Sequence, residues 1–441
     1  MFDTLKDYLR YTNWPIILAM LALIVLGIVA IGTCQDVCPK LQDRSVVAHQ
    51  VSFAAVALAA FMAMTAIPYD RLGRGSYVLL GGTIVVLVGV FALRADTQGT
   101  HRWIDLKFIK IQPSEFAKLT YLLALAWYLR YRDNFRRLAG LTVPFLMTVV
   151  PMALIFLEPD LGTSLLFLPT LYFLLFMAGA KLRHLLGIVA LGTSLMLLPA
   201  PRELKPTMPV AEQVNRRLLA YTVIKSGGKE YAVSAVPLSV IGGYQVSRIV
   251  GWLWQDNDKL AKKEAYQLQM SKTLIGCGGW TGLSEGDDTF YYLLPDLPEG
   301  HTDFIFSVVG GRWGVLGGLG MLLMYAVIFL FGLEIATKTY DPFGRLLAIG
   351  VVAMVFSQLM INISMTIGLL PVTGMTLPLV SYGGSSLVVN CAALGLLVNI
   401  SRRRPMLLGP HPFEHERREK EVAVMRAFRD SDWPEDLDED V

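Results

Sequence analysis

Long apolar stretches separated by short polar connections dominate the pattern of this chain. Each is close to the length of about 20 mostly apolar residues that a membrane-spanning helix needs. The runs cover residues 14–34, 49–67, 76–94, 113–130, 140–158, 161–180, 184–200, 304–334, 342–365 and 378–400. They are continuous and do not alternate between polar and apolar positions, which excludes a membrane β-barrel. The pattern predicts an all-α, polytopic membrane protein of about ten transmembrane helices.

One connection is far longer than the others and divides the chain. We predict transmembrane helices 1–7 in residues 1–200, a large loop in 201–303, helices 8–10 in 304–400 and a tail in 401–441. Loops of this length are uncommon and often functional. Within the loop, charged stretches near 209–226 and 255–275 are compatible with helices. The acidic end of the tail has two interpretations: a docking site for cytoplasmic partners, or a solvated segment.

Charge and composition predict on which side of the membrane each segment lies. Of the 441 residues, 54% are hydrophobic and 17% charged, against about 25% charged in soluble domains. With the N-terminus inside, the short inner connections carry 15 Lys and Arg and the outer ones 6. The positive-inside rule then places both termini in the cytoplasm and the large loop outside. The six histidines show no zinc-type spacing.

Asp303 stands at the point where the large polar loop meets the eighth apolar run. A carboxylate at the end of a membrane helix costs desolvation energy, so it usually has a charged partner or a function. One interpretation makes Thr302 or Asp303 the N-cap of the helix. The other makes Asp303 a general base that accepts a proton from a substrate hydroxyl. The two are compatible, because a helix N-terminus favours an ionised carboxylate.

Further charged groups lie beside apolar runs near the same outer side. Glu115 and Lys118 are three residues apart at the start of the fourth run, so they share a helix face. They form either a self-neutralising pair or part of a substrate cavity. Asp160, in the turn after Glu158, either caps the sixth helix or faces the same cavity.

Two other motifs suggest binding of an anion. Arg102 beside Trp103 is either an interfacial anchor or a clamp for a phosphate or carboxylate. Residues 378–386, with Ser381 and Ser385, open the last run with two glycines. Such a segment either presents backbone N–H groups to an anion or provides a small-residue packing surface.

These motifs, in this order, resemble the SEDS family, the peptidoglycan polymerases of shape, elongation, division and sporulation. The matching stretches are Arg102-Trp103, residues 112–118, 159–163, 244–248, 266–267, 276–279, 298–306, Asn362, 371–374 and 377–386. One stretch departs from the family, because residues 311–314 read Gly-Arg-Trp-Gly where members commonly carry Glu-Glu-Leu-Gly. The departure suggests that Arg312 takes over a charge-pairing task.

The resemblance implies a glycosyltransferase that polymerises lipid II into glycan strands and releases undecaprenyl pyrophosphate. Asp303 is then the catalytic base. Positive charge for the leaving pyrophosphate comes from basic side chains or from a divalent cation, Mg or Mn. The implied substrate-binding residues are Arg102, Trp103, Glu115, Lys118, Asp160, Arg248, His301, Thr302, Ser381 and Ser385.

Residues 275–279 and 371–374 are more similar to the RodA elongation branch than to the FtsW division branch. Either branch implies a bacterial inner-membrane protein that works with a class B penicillin-binding protein, a transpeptidase, and binds no nucleic acid. Two other functions stay open: a lipid II flippase, and a scaffold that only recruits the transpeptidase. A flippase predicts charged groups at several membrane depths, whereas the charges here concentrate toward the outer side.

Overall fold

The computed structural model describes residues 12–42, 45–93, 104–105, 110–132, 137–158, 160–197, 200–203, 221–226, 229–234, 248–249, 251–252, 255, 265–284 and 288–403. Helices make up most of these residues. They are α1 (Trp14–Val37), α2 (Pro39–Gln42), α3 (Val46–Ala66), α4 (Tyr69–Leu93), α5 (Pro113–Leu129), α6 (Thr142–Leu157), α7 (Leu161–Met177), α8 (Leu182–Leu197), α9 (Tyr266–Gly278), α10 (Asp288–Leu293), α11 (Ile305–Lys338), α12 (Pro342–Thr366) and α13 (Gly384–Arg403). A 3₁₀ turn, Leu138–Leu141, leads into α6.

The predicted helical membrane fold is confirmed. Seven stretches of the described chain are long and apolar enough to cross a membrane, namely α1, α3, α4, the 3₁₀ turn with α6, α11, α12 and α13. The helices α5, α7 and α8 have 17, 17 and 16 residues. At 1.5 Å per residue they extend roughly 25 Å, somewhat less than the hydrocarbon thickness. The number of ten crossings and the four-part division of the chain stay predictions.

Short strands occur in two of the connections. β1 (Ile104–Asp105) pairs antiparallel with β2 (Lys110–Ile111) just before α5. A three-stranded antiparallel sheet has the order β3 (Ala200–Glu203), β5 (Lys229–Ser234), β4 (Tyr221–Ser226). The expectation of a helix-compatible stretch over 209–226 is wrong for its last six residues, because Tyr, Thr, Val and Ile favour the extended conformation there.

The helix α12 lies at the centre of the bundle. It packs against α5, α7 and α11, while α13 packs along α3. Its membrane-spanning part is 83% buried inside the protein. The polar side chains of Gln358, Asn362 and Thr366, spaced four residues apart, therefore face protein and not lipid, and all three are 0% exposed.

The helix α11 is broken at Gly314, whose φ of 61° and ψ of −161° are not helical. The turn that follows α9 satisfies the backbone groups at the break. Val315 N–H donates to the carbonyl of Gly279 at 2.9 Å and Leu316 N–H to that of Trp280 at 3.1 Å, and the Gly311 carbonyl accepts from Leu283 N–H at 3.0 Å. We call this contact the α9–α11 joint.

The joint accounts for the departure at residues 311–314. A Cβ on Gly311 would lie 2.7 Å from Cδ1 and 2.8 Å from Cγ of Leu274 in α9, so a larger residue there requires the Leu274 side chain to shift. Nη1 of Arg312 donates to the carbonyl of Leu283 at 3.0 Å. The arginine thus binds the main chain of the joint, which no charge-pattern argument predicts.

Candidate active site

Asp303 lies in a tight turn that leads into α11. The N–H groups of Thr302, Asp303 and Phe304 all point to the carbonyl of Glu299, at 3.2, 3.1 and 3.2 Å. Phe304 is the N-cap of α11, so Asp303 precedes the cap position. The N-cap interpretation of Asp303 is therefore wrong, and its carboxylate lies partly buried at the entrance of the helix.

Arg248 approaches Asp303 at Gly374. A Cβ on Gly374 would lie 3.4 Å from Oδ2 of Asp303 and 3.0 Å from Nη1 of Arg248. Gly374 also has a φ of 76°, which L side chains rarely adopt. Nη1 of Arg248 donates to the carbonyl of Val372 at 3.1 Å, which fixes the guanidinium. A carboxylate and a guanidinium thus lie against the same glycine, where opposite charges stabilise each other.

The predicted pair of Glu115 and Lys118 is present at the start of α5. The Nζ–Oε2 distance is 2.7 Å, with the side chains 7% and 3% exposed. Nζ of Lys118 also donates to Oε1 of Gln358 on α12 at 3.5 Å. The two charges are therefore neutralised inside the protein and tied to the central helix.

Asp160 is held by three donors, one from α7, one from α5 and one from the residue that precedes α5. Oδ1 accepts the Thr163 N–H at 3.1 Å, which makes Asp160 the N-cap of α7. Oδ2 accepts from Nε2 of Gln112 at 2.9 Å and from Oγ of Ser114 at 3.2 Å. Its cap interpretation is confirmed, and the same carboxylate joins the entrances of α5 and α7.

The residues around Asp303 contact the segment before α13. The His301 and Tyr382 rings lie 5.5 Å apart and tilted by 47°. Oγ1 of Thr302 donates to Oε2 of Glu299 at 3.0 Å. Oγ of Ser385 accepts the Gln112 N–H at 3.1 Å, so this residue belongs with Asp160 and not with Asp303.

The predicted residues thus form two groups, one around Asp160 with the Glu115–Lys118 pair and one around Asp303 with Arg248. Residues 372–376 lie between them. Nε2 of Gln358 donates to the Thr376 carbonyl at 3.0 Å, and Nδ2 of Asn362 donates to the Met375 carbonyl at 2.5 Å and to the Asp303 carbonyl at 2.9 Å. Gln358 was missed from the sequence. Its signal was an amide four residues from another inside an apolar run.

Two predicted substrate contacts cannot be placed. Arg102 and Trp103 are outside the described residues. Within the described ranges no three His, Cys, Asp or Glu side chains cluster as a metal site would require.

The sequence of this chain is similar to a known family of cell cycle proteins. The family model of the FtsW, RodA and SpoVE cell cycle proteins matches residues 13–405. The peptidoglycan glycosyltransferase RodA of Treponema pallidum is 31% identical over 391 residues, covering 80% of this chain and 89% of its own. A probable peptidoglycan glycosyltransferase FtsW of Trichlorobacter lovleyi is 28% identical over 412 residues, covering 91% and 96%.

A solved structure gives the same architecture. It describes the structural coordination of polymerization and crosslinking by a peptidoglycan synthase complex. The chain matches it with a TM-score of 0.67 and 26% identity, over 89% of this chain and 98% of the other.

Proposed function

This chain belongs to the FtsW/RodA/SpoVE family, the SEDS family, and we propose that it polymerises lipid II into glycan strands. It is a multi-pass protein of the inner membrane and a peptidoglycan glycosyltransferase, as its relatives are named. Asp303 beside Arg248 at Gly374 is the observation that carries the proposal. Here a half-buried carboxylate lies beside a cation at the entrance of α11.

Asp303 acts as the general base of the proposed reaction. The 4-hydroxyl oxygen of one lipid II unit attacks the anomeric carbon of the lipid-linked glycan. The bond from that carbon to the pyrophosphate oxygen breaks, and undecaprenyl pyrophosphate leaves. The hydroxyl proton goes to the Asp303 carboxylate, which needs hydrogen-bond reach to the hydroxyl in the bound state.

Arg248 stabilises the negative charge that develops on the leaving pyrophosphate. Its guanidinium is planar, always charged and suited to phosphate oxygens. The contact with the Val372 carbonyl uses one of its five N–H groups. Preorganised positive charge at this position lowers the barrier without reorganisation during the reaction. We propose that Lys118, Arg102 and the carboxylates Glu115 and Asp160 order the headgroup around the same centre.

Within the described ranges no three His, Cys, Asp or Glu side chains lie together, and the group beside Asp303 at Gly374 is the Arg248 guanidinium. We propose that Mg or Mn, if required for turnover, is held mainly by the pyrophosphate oxygens of the substrate.

We assign the protein to cell-wall elongation with a class B penicillin-binding protein as partner. Residues 275–279 and 371–374 support the RodA branch, while the identities to RodA and FtsW, 31% and 28%, do not separate the branches. The similarity to a peptidoglycan synthase complex supports a partner that crosslinks. A division role with FtsW-type partners is the alternative, and complementation of a strain depleted of its elongation polymerase distinguishes the two.

The test is polymerisation of purified lipid II by the protein with its transpeptidase partner. The wild type should yield long glycan strands, and Asp303→Asn should lower the rate at least about 100-fold, in the range of lost general-base catalysis. A Thr273→Ala variant is the folding control, because Thr273 is exposed and bonds only its own helix. Wild-type rates in Asp303→Asn overturn the base assignment. Lipid II flipping without polymer formation would favour the flippase.

A further inference from the structure

Three successive carbonyl groups ahead of α11 are each held by a donor from another part of the chain. The Tyr382 N–H donates to the His301 carbonyl at 3.0 Å. Oγ of Ser381 donates to the Thr302 carbonyl at 2.5 Å. Nδ2 of Asn362 donates to the Asp303 carbonyl at 2.9 Å. We call these contacts the carbonyl clamp.

Asn362 provides the part of the clamp that comes from the central helix. It is 0% exposed, and its Nδ2 donates to both Asp303 and Met375. Both partners are carbonyls, which only accept, so the nitrogen of the amide must face them. A side chain of equal size without N–H groups would leave the buried Met375 carbonyl and the half-buried Asp303 carbonyl without this donor, at a cost of about 1–3 kcal/mol for the buried one.

The Ser381 hydroxyl donates its one hydrogen within the protein. It donates to the Thr302 carbonyl and accepts the Leu377 N–H at 2.8 Å, and the residue is 4% exposed. A serine hydroxyl has one hydrogen to donate. This arrangement gives Ser381 a structural role, while its predicted substrate contact stays a prediction.

We infer that Asn362 and Ser381 are positioning residues, which hold the Asp303 main chain at a fixed distance from the 371–377 segment. The inference rests on the proposed function, in which Asp303 is the base. Within the turn itself, the N–H groups of Thr302, Asp303 and Phe304 share the Glu299 carbonyl. A shift of about 1 Å at a reacting group costs up to about 100-fold in rate, so the clamp determines turnover and not substrate affinity.

The experiment compares Asn362→Leu with a matched control, Asn399→Leu. Asn399 is also 0% exposed, and its Nδ2 donates to carbonyls at the end of α3, including Met64 at 2.6 Å and Thr65 at 3.2 Å. Its contacts lie at the other end of the membrane bundle from Asp303. Both variants lose a buried amide donor, so both should lower the melting temperature by similar amounts.

Of these two variants, only Asn362→Leu should lower the rate of the catalytic step. We expect kcat for lipid II polymerisation to fall about 10- to 100-fold, with KM within about threefold of the wild type. Ser381→Ala should likewise lower kcat and leave KM nearly unchanged. Asn399→Leu should keep kcat within about twofold of the wild type. Equal kcat in Asn362→Leu and Asn399→Leu would overturn the inference.

A second readout does not need activity. Amide hydrogen exchange in a peptide covering residues 299–306 should be faster in Asn362→Leu than in the wild type or in Asn399→Leu, because the turn loses a fixed carbonyl. Unchanged exchange there refutes the clamp even if the wild type polymerises. Faster exchange in Asn362→Leu, combined with a wild type that forms no polymer, supports the clamp and refutes the proposed function.

Discussion

Glu115 and Lys118 are two charges that the surrounding protein buries almost completely, with side chains 7% and 3% exposed. Burying an ion pair costs desolvation energy that its mutual attraction often only offsets, and apolar replacements of similar volume are frequently neutral or stabilising. Stability alone therefore gives no reason for this pair at the entrance of α5. A substrate headgroup that needs both signs of charge does give a reason.

A single and a double variant distinguish the contribution of this pair to stability from its contribution to activity. Lys118→Met leaves the Glu115 carboxylate buried without its partner and should destabilise the protein by about 3–5 kcal/mol. The double variant Glu115→Gln/Lys118→Met removes both charges and should recover most of this loss. Unfolding in detergent measures both effects, while lipid II polymerisation should stay low in both variants.

The matched control is the pair of Lys338 and Glu334 at the end of α11, with side chains 49% and 38% exposed. Lys338→Met should change stability by less than about 1 kcal/mol, as for other exposed pairs. Wild-type polymerisation by the double variant would show that the Glu115–Lys118 pair has no part in substrate binding.

At the scale of elements, the α9–α11 joint connects the large loop to the helix that follows Asp303. The half of α11 before Gly314 bonds to α9 both at the joint and through the Ser271 and Ser307 hydroxyls, 2.6 Å apart. Ser271 also donates to the Thr366 carbonyl on α12 at 2.8 Å. Movement of α9 is therefore coupled to the first half of α11, at whose start Asp303 lies.

Two glycines of α9 test this coupling. A Cβ on Gly278 would overlap the Gly310 carbonyl oxygen, whereas a Cβ on Gly276 would meet no heavy atom within 4 Å. Gly278→Ala should destabilise by about 1–3 kcal/mol, as overpacking does, and should also lower polymerisation. Gly276→Ala should be neutral or stabilise by up to about 1 kcal/mol, since alanine favours helix.

Melting temperature and polymerisation rate, measured side by side for the two variants, check the expectation. The same melting temperature for Gly278→Ala and Gly276→Ala would mean that the joint does not pack as described.

Helix positions followed well from the apolar runs, because a membrane helix must be apolar over a length set by the bilayer. The start of the last helix is an instructive exception. The last run was predicted from residue 378, but α13 begins at Gly384. The intervening segment is buried yet turned, with Leu379 at a φ of 67° and Ser381 in the carbonyl clamp. Apolar character reports burial and does not distinguish a helix from a buried turn.

The break in α11 was missed for a related reason, since residues 304–334 read as one continuous run. Glycine at position 314 permits the positive φ of the break but does not require it. The contact with α9, more than thirty residues earlier, makes the break favourable, and no local pattern encodes that contact.

At the scale of the whole molecule, the sequence predicted which residue types form the site but not how they meet. Asp303 was identified from its place at a helix mouth, and Glu115 and Lys118 from their spacing. The meeting of Asp303, Arg248 and Gly374 depends on three segments more than fifty residues apart. Asn362 and Gln358 acquire their roles only because α12 is central, so that amides within an apolar run face polar carbonyls and not lipid.

A native cysteine tests which side of the membrane holds the catalytic end of this assembly. The four cysteines are free, and Cys277 on α9 is exposed while Cys34 and Cys391 are buried. If the large loop is extracytoplasmic, a membrane-impermeant maleimide added to intact spheroplasts should label the wild type, and Cys277→Ser should lose most of the label. Mass spectrometry of the labelled peptide separates Cys277 from the half-buried Cys38.

A second labelling experiment uses a cysteine introduced in the tail. Ser431→Cys in the Cys277→Ser background should react only after the spheroplasts are permeabilised, because the charge bias puts both termini in the cytoplasm. Protection of Cys277 together with labelling of Ser431→Cys in intact cells would invert the topology. Asp303 would then face the cytoplasm, and polymer made there could not reach a transpeptidase outside, so the orientation of one loop decides whether this site can build the cell wall.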